Sequence, residues 1–187
     1  MFAAHGYPDA TVDEIASEAG ASRATFYLHF KGKTELVAAL VEASIPFAVE
    51  RYRLLDQLLV RGGSSSHDEL YEWLSDWLGV WRKSADSSHA LLQAAMLEPE
   101  VEKQRLRNSE ALVDALEHYF AGLVEADRGP TRDRLLVLEI MSQRILSLAS
   151  ISRLPVDDKH VLTILTDMWM RVLVGGEARS GASGTLP

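Results

Sequence analysis

The stretch of sequence that decides the fold is TVDEIASEAGASRATFYLHFKGK, residues 11–33. Thr11 and Glu14 form a capping-box pattern, in which each side chain can bond to the other residue's backbone amide and so begin a helix. Gly20 can supply the left-handed conformation that a sharp turn needs, and Ser22 is a good N-cap for a further helix. The stretch therefore predicts two short helices joined by a tight turn, which is a helix-turn-helix pattern.

The second of these helices has two distinct faces. Phe26 and Phe30 lie four residues apart and share one face, which we expect to pack in the core. The turn of an α-helix then leaves Arg23, Ala24 and Tyr27 on the outward face. Arg23 can bind a guanine edge or a phosphate, and Ala24 can contact a thymine methyl group. The outward face therefore has the chemistry of a surface that reads base edges.

The polar side chains around this face suit the DNA backbone. Thr25, Tyr27 and His29 present polar tips that can bind phosphate oxygens. Lys33, at the start of the following helix, adds a cation to backbone amides that already favour an anion. Taken alone, Tyr27 and His29 are more simply a half-buried ring and a surface histidine, but the complete motif indicates a helix that reads the major groove, with a phosphate clamp.

The composition is that of an ordinary soluble protein. Of 187 residues, 47% are hydrophobic and 25% are charged, and there is no cysteine. Disulfides, thiolate metal sites and cysteine nucleophiles are thereby excluded. No apolar run reaches the roughly 18–20 residues that span a bilayer, and the N-terminus lacks a signal-peptide pattern. We therefore expect a cytoplasmic protein.

The formal net charge of −8 argues at first against a nucleic-acid partner, because lysine and arginine supply most phosphate contacts. The charge is unevenly distributed, however. Residues 1–33 hold three cations against four carboxylates, a net of −1. Because Arg23, Lys31 and Lys33 all fall in the opening stretch, they can form a local basic face there.

The rest of the chain is predicted to be helical as well. Apolar residues recur at spacings of three and four, and strand-like alternation is absent. Pro46 should kink or divide the helix that begins at Lys33, and RGGSSSHD, residues 61–68, is predicted to be a linker. One helix is expected over about 100–127, followed by a turn at RGPTRD, residues 128–133.

A stripe of tryptophans follows the linker and has two interpretations. Each ring is more simply part of the core, yet ligand sites in helical bundles are also mostly apolar with a few polar groups. We therefore keep the hypothesis of a pocket for a small apolar or aromatic effector. Its candidate lining residues are Trp73, Trp77, Trp81, His89, Gln93, Met96, Tyr119 and Met141.

Metal and enzyme interpretations have little support in the sequence. His118 stands beside Glu117, and His160 follows Asp157 and Asp158, but neither group offers the closed ligand set of a structural or catalytic metal site. There is no nucleophile elbow, phosphate loop, dinucleotide fingerprint or HExxH helix. We predict no metal, no cofactor and no enzymatic activity.

Residues 6–40, GYPDATVDEIASEAGASRATFYLHFKGKTELVAAL, resemble the DNA-binding domain of the TetR/AcrR (tetracycline-repressor) family of bacterial transcription regulators. The resemblance implies an all-α protein of about nine helices, with a helix-turn-helix domain at 1–40, a ligand-binding and dimerisation domain at 41–174, and, by composition, a disordered tail at 175–187. It also implies a homodimer, in which helices at about 132–153 and 158–174 form a four-helix bundle with those of the partner.

Matched to the family pattern, the site residues divide into two groups. Those expected to contact phosphate are Thr11, Thr25, Tyr27, His29 and Lys33, and those at base-reading positions are Arg23, Ala24 and Tyr27. Ser22 is expected to cap the reading helix, and its amide can also meet a phosphate. Because only MFAAHGY, residues 1–7, precedes the motif, the first helix is expected to be truncated relative to the family.

The sequence thus favours a ligand-responsive DNA-binding regulator, most simply a repressor that a small effector releases from a palindromic operator. Two alternatives stay open. The first is a small-molecule-binding helical bundle without a DNA function, and the second, with less support, is an enzyme.

Overall fold

The protein is described by a computed structural model over residues 2–61, 66–151 and 153–182, and every regular element in those ranges is an α-helix. The helices, in chain order, are α1 (Phe2–Asp9), α2 (Val12–Glu18), α3 (Arg23–His29), α4 (Lys33–Ala43), α5 (Ile45–Arg61), α6 (Ser66–Lys83), α7 (Ala85–Leu97), α8 (Pro99–Asp114), α9 (Glu117–Gly122), α10 (Glu125–Ser150) and α11 (Asp158–Ala182). The all-α fold class is confirmed, with eleven helical segments described where about nine were expected.

The local signals of the helix-turn-helix act as predicted. Thr11 caps α2 through a complete capping box with Glu14. Gly20 has a φ of 67°, the left-handed conformation expected at the turn. Ser22 caps α3, its hydroxyl oxygen accepting a hydrogen bond from the Thr25 amide at 3.0 Å. These short-range hydrogen bonds fix where α2 and α3 begin.

The chain divides into two compact units. The first comprises Met1–Pro46 and Lys83–Asn108, and the second comprises Phe47–Arg82 and Ser109–Pro187. This division differs from the predicted boundary at residue 40, because α7 and most of α8 belong with the helix-turn-helix. Each unit has a buried apolar cluster of its own.

The core of the first unit joins α1 to α4, α7 and α8. Its fully buried side chains include Tyr7, Val37, Ala94 and Val101. The chain bends at Gly6, whose φ is 73°, so that the Tyr7 amide donates to Gln93 Oε1 at 2.9 Å. This contact anchors the N-terminal segment on α7.

The core of the second unit is built around tryptophan. Trp169 is fully buried, and its ring centroid lies 6.0 Å from that of Trp73 and 6.3 Å from that of Tyr52. Trp169 Nε1 donates to Ser142 Oγ at 2.9 Å, and Trp73 Nε1 donates to the Arg51 carbonyl at 3.0 Å. Because each buried indole N–H has a partner, the rings pack without the cost of an unsatisfied donor.

Two predicted features of the second half of the chain were wrong. The helix expected over 100–127 ends at Asp114, and α9 begins at Glu117. The turn expected at RGPTRD is absent, because α10 runs from Glu125 through Pro130. Pro130 is the sixth residue of α10, so it removes one backbone hydrogen bond and crowds the carbonyl four residues before it. Burial of Thr131 and Leu135 on the same helix offsets this cost and favours its continuation.

The other predicted breaks are resolved as follows. The helix that begins at Lys33 is divided as expected, with α4 ending at Ala43 and α5 beginning one residue before Pro46. The predicted linker at 61–68 is partly helical, and its residues 62–65 lie outside the described ranges. Disorder was expected from residue 175, but α11 continues to Ala182; residues 183–187 again lie outside the described ranges. None of the described helices is long and apolar enough to cross a membrane.

Candidate nucleic-acid interface

The recognition helix α3 has the two faces that the sequence predicts. Phe26 is buried and its ring centroid lies 5.5 Å from that of the half-buried Phe30. Arg23, Ala24 and Tyr27 are exposed. The predicted orientation of these side chains is confirmed, and the positions that were predicted to read bases face away from the core of the unit.

Arg23 is exposed but has a partner. Its Nη1 lies 2.7 Å from Asp13 Oδ2 on α2, and its Cζ lies 5.6 Å from the Tyr27 ring centroid. About 60% of each side chain of the ion pair remains exposed. A pair this exposed contributes only about 0–1 kcal/mol, so the guanidinium can exchange Asp13 for another acceptor at little cost while Tyr27 keeps it over α3.

The hydroxyl groups of the motif serve first as caps. Thr11 Oγ1 donates to Glu14 Oε2 at 2.7 Å and accepts from the Glu14 amide at 3.3 Å. Ser22 Oγ lies 2.9 Å from Thr25 Oγ1. Thr11, Glu14 and Thr25 are exposed, and Ser22 is exposed as well. Since a hydroxyl oxygen has two lone pairs, the caps can persist while the exposed side chains meet a ligand.

The Lys33 side chain lies where the sequence did not predict it. Its Nζ donates to the backbone carbonyls of Tyr7, Pro8 and Ala10, at 3.0, 2.8 and 3.3 Å. It also lies 4.6 Å from the Tyr7 ring centroid. An ammonium has three donors, and these three carbonyls engage them all. Lys33 therefore ties the end of α1 to α4 instead of presenting free donors to a phosphate.

The phenol of Tyr7 completes this junction. Its hydroxyl donates to Glu98 Oε1 at 2.8 Å and lies 3.2 Å from Thr34 Oγ1. Burial raises the pKa of Tyr7 above its ordinary value, and the neighbouring Glu98 carboxylate adds to the shift. The neutral phenol is thus favoured, and it binds α1 both to α4 and to the turn that precedes α8.

Two exposed residues of the motif were not among the predicted DNA-contacting residues, although Lys31 was assigned to the local basic face. Lys31 is exposed, and its ammonium makes no hydrogen bond or ion pair within the described ranges. Leu28 is 81% exposed on α3, an unusual position for a large apolar side chain. His29 is exposed as predicted, with its ring centroid 6.4 Å from that of Phe30. The position of Lys31 directly after α3 is the sequence signal that could have added it to the predicted contacts.

The eight residues proposed to line an effector pocket are divided between the two units. Gln93 belongs to the first unit and binds the Tyr7 amide, and Met96 in the same unit is on the surface. In the second unit Trp73 is core, Trp77 and Trp81 pack partly buried against that core, and Met141 is exposed. The Tyr119 hydroxyl donates to the Leu173 carbonyl at 2.9 Å. His89 belongs to α7 in the first unit, and its side chain lies outside the described part of the structure.

A shallow cleft does occur on the second unit. Its volume is about 100 Å³, and it is lined by Arg53, Asp56, Gln57, Ala115, Glu117 and His118. Small-molecule sites usually enclose roughly 300–1,000 Å³, so the cleft is too small for an effector of that kind. The Asp56 carboxylate, on α5, accepts hydrogen bonds from the backbone amides of His118 and Tyr119 at 3.0 and 2.8 Å. Asp56 therefore caps the N-terminus of α9. In the part of the chain that the structure describes, no group of three or more His, Cys, Asp or Glu side chains is arranged to hold a metal ion.

Comparison with known proteins identifies the N-terminal segment. Residues 1–40 match the family model of the bacterial regulatory proteins, tetR family. The chain is 49% identical over 41 residues to the uncharacterized HTH-type transcriptional regulator TtgW of Pseudomonas putida, which is 22% of this chain and 31% of the relative. It is 37% identical over 57 residues to the uncharacterized HTH-type transcriptional regulator YerO of Bacillus subtilis, covering 30% of this chain and 20% of the relative.

A further relative matches over a segment of similar length. The HTH-type transcriptional regulator SrpR, also of Pseudomonas putida, is 46% identical over 41 residues, 22% of this chain and 19% of the relative. The alignments span less than a third of the length of each of these three relatives. The family model covers the helix-turn-helix and most of α4. Residues 1–40 are therefore similar to the N-terminal segment of the bacterial regulatory proteins of the tetR family.

Proposed function

We propose that the protein is a DNA-binding transcription regulator that reads a duplex with α3 and not an enzyme. The observation that carries the proposal is the outward face of α3, where Arg23, Ala24 and Tyr27 are exposed opposite the buried Phe26. A helix that follows a tight turn and presents its first residues outward is the element that enters a major groove. Such a regulator acts on chromosomal DNA, so we expect it in the cytoplasm.

The contacts divide into phosphate positioning and base reading. Lys31 replaces Lys33 as the cation that we expect to contact a phosphate through its own donors, because the donors of Lys33 are engaged by carbonyls. Thr11, Ser22, Thr25 and His29 remain the proposed polar contacts to the backbone. Arg23, Ala24 and Tyr27 remain the proposed contacts to bases.

The experiment starts by selecting duplexes from a random library with the full chain, and it then measures affinity for the enriched duplex at several salt concentrations. Each phosphate contact contributes about 0.9 to the slope of log affinity against log salt. We expect Lys31→Ala to lower the slope by about 1 for each subunit bound and to weaken all duplexes about equally. Lys159→Ala, an exposed lysine on α11, is the matched control and should leave the slope unchanged. Failure to enrich any duplex would contradict the proposal and favour a helical bundle without a DNA function.

We further propose that the regulator is a homodimer on a palindromic operator. Apolar side chains on α10 and α11 support this, because they remain exposed although each helix already buries another face. They are Val137, Ile140, Met141, Ile164 and Val174. A cluster of exposed apolar side chains of this size is typical of an interface, and a twofold pair of subunits matches half-sites about 34 Å apart.

The last part of the proposal is that the protein is a repressor, and that a small apolar or aromatic effector releases it from its operator. An effector shifts the equilibrium only if it prefers the state in which the two α3 helices leave major-groove spacing. Lys33 and Tyr7 link α1 to α4, and Gln93 links α1 to α7, so these helices should tilt together. Tryptophan fluorescence during a screen of aromatic compounds, followed by competition with the selected duplex, tests this step. A compound that binds without lowering duplex affinity is not the effector.

A further inference from the structure

Leu28 is the most exposed position on the recognition helix that carries a large apolar side chain, with 81% of its surface accessible. The geometry of α3 explains this exposure. With about 100° between successive residues, Ala24 and Leu28 are each about 160° from the buried Phe26. They are therefore the two positions of α3 that project farthest from the core.

Ala24 and Leu28 together form an apolar ridge one helical turn long. Arg23 and Tyr27 flank the ridge on one side, and Thr25 and His29 flank it on the other. If α3 enters a major groove with this face, the ridge lies against the base edges, and the polar side chains on either side of it lie nearer the two DNA backbones.

A leucine side chain discriminates sharply among base edges. In the major groove guanine, adenine and cytosine present donors and acceptors, whereas thymine also presents a methyl group at C5. An isobutyl group placed against a polar edge removes water from that edge without replacing the hydrogen bond, which is unfavourable. Placed against a methyl group, it buries apolar surface on both partners.

Resting on the proposed DNA-reading function, we propose that Leu28 is a specificity-determining residue that contacts a thymine methyl group in the major groove, beside a second thymine contacted by Ala24. Four residues of helix rise about 6 Å, and base pairs are stacked about 3.4 Å apart. The two thymines therefore lie within about two base pairs of one another in each half-site.

The test uses the full chain and the duplex that it selects from a random library. Each thymine of a half-site is replaced in turn by deoxyuridine, which lacks only the C5 methyl group. The wild-type protein should lose about fourfold in affinity at the Leu28 thymine, the value of one buried methyl group. Leu28→Ala should bind the unmodified duplex about five- to tenfold more weakly, and it should show no further loss at that deoxyuridine.

Controls separate this contact from folding and from general DNA binding. Leu54→Ala removes an exposed leucine of the second unit and should retain the full fourfold deoxyuridine effect. Because Leu28 is exposed, Leu28→Ala should keep the circular dichroism spectrum and melting temperature of the wild type.

Three results would overturn the inference. They are an equal deoxyuridine loss in wild type and Leu28→Ala, a selected half-site without any methyl-sensitive thymine, or unchanged affinity of Leu28→Ala. In each of these cases selective duplex binding persists, so the proposed function stands while the role of Leu28 fails. If the wild-type chain selects no duplex, both fail.

Discussion

Replacing Lys33 by methionine keeps the apolar stem of the side chain and removes its ammonium, so the substitution isolates the contacts of Nζ. Those contacts are hydrogen bonds to the carbonyls of Tyr7, Pro8 and Ala10, at 3.0, 2.8 and 3.3 Å, and a cation–π contact at 4.6 Å from the Tyr7 ring. A hydrogen bond from a charged donor contributes about 1.5–3 kcal/mol. The three bonds share one ammonium, and water can reach the exposed Pro8, so their sum is well below three times that value.

We expect Lys33→Met to lower the free energy of unfolding by about 3 kcal/mol, including about 0.5–1 kcal/mol for the cation–π contact. For a chain of 187 residues this corresponds to a fall in melting temperature of about 6–12 °C. Thermal unfolding followed by circular dichroism at the helix band measures it. Lys31→Met is the matched control, because Lys31 is exposed two residues away, and it should melt within about 1 °C of the wild type. A Lys33→Met protein that also melts this close to the wild type would refute the structural role assigned to this ammonium.

Three further outcomes are expected. In urea unfolding, Gly20→Ala should destabilise the protein by about 1 kcal/mol because its φ is positive. Gly6→Ala should cost about 2 kcal/mol, because its new Cβ would also lie 2.7 Å from Gln93 Oε1 and displace the oxygen that accepts the Tyr7 amide hydrogen bond. Equal losses in the two variants would contradict this displacement. The raised pKa of Tyr7 predicts a contribution to stability that is complete below the unfolded pKa, near 10.0, and is lost as the pH rises through the higher folded pKa. A Tyr7→Phe protein should lack this loss of stability at alkaline pH. If its stability had the same pH profile as that of the wild type, Tyr7 would not be the group responsible. Met141→Glu should convert a micromolar dimer to a monomer in sedimentation velocity, whereas Met96→Glu, at a more exposed methionine of the first unit, should remain dimeric; a dimeric Met141→Glu protein would place the interface elsewhere.

The features that could be predicted from the sequence depend on contacts between near neighbours. The Thr11 capping box, the left-handed Gly20 and the Ser22 cap each involve residues no more than three apart. The inward orientation of Phe26 follows from helical spacing alone. Because these interactions are determined by residue type and local geometry, the helix-turn-helix was correctly placed.

The features that could not be predicted depend on partners far apart in the chain. Gln93 accepts a hydrogen bond from the amide of Tyr7, which lies 86 residues away in the sequence. From the sequence alone, a polar residue at this position fits a ligand pocket as well as it fits this structural contact. Lys33 is about 25 residues from the carbonyls that it binds, and a lysine at a helix start is also typical of a phosphate contact. Pro130 was interpreted as a break because the burial of its helix is a tertiary effect. In each case the residue type allowed two roles, and only the packing of distant helices selects one.

The contacts of Lys33 use its hydrogen-bond donors but do not neutralise its charge. Carbonyl groups are neutral, so the three bonds engage the donors of Lys33 while leaving its unit charge in place, whereas Asp13 offsets the charge of Arg23. A partly buried charge still acts over roughly 8–10 Å at physiological salt, a range that reaches beyond its own contacts. In the proposed complex with DNA, we therefore expect Lys33 to attract the duplex toward α3 without contacting a phosphate, and Lys31 to make the direct contact. The three cations of residues 1–33 thus lie in or just after α3, although this segment has a net charge of −1.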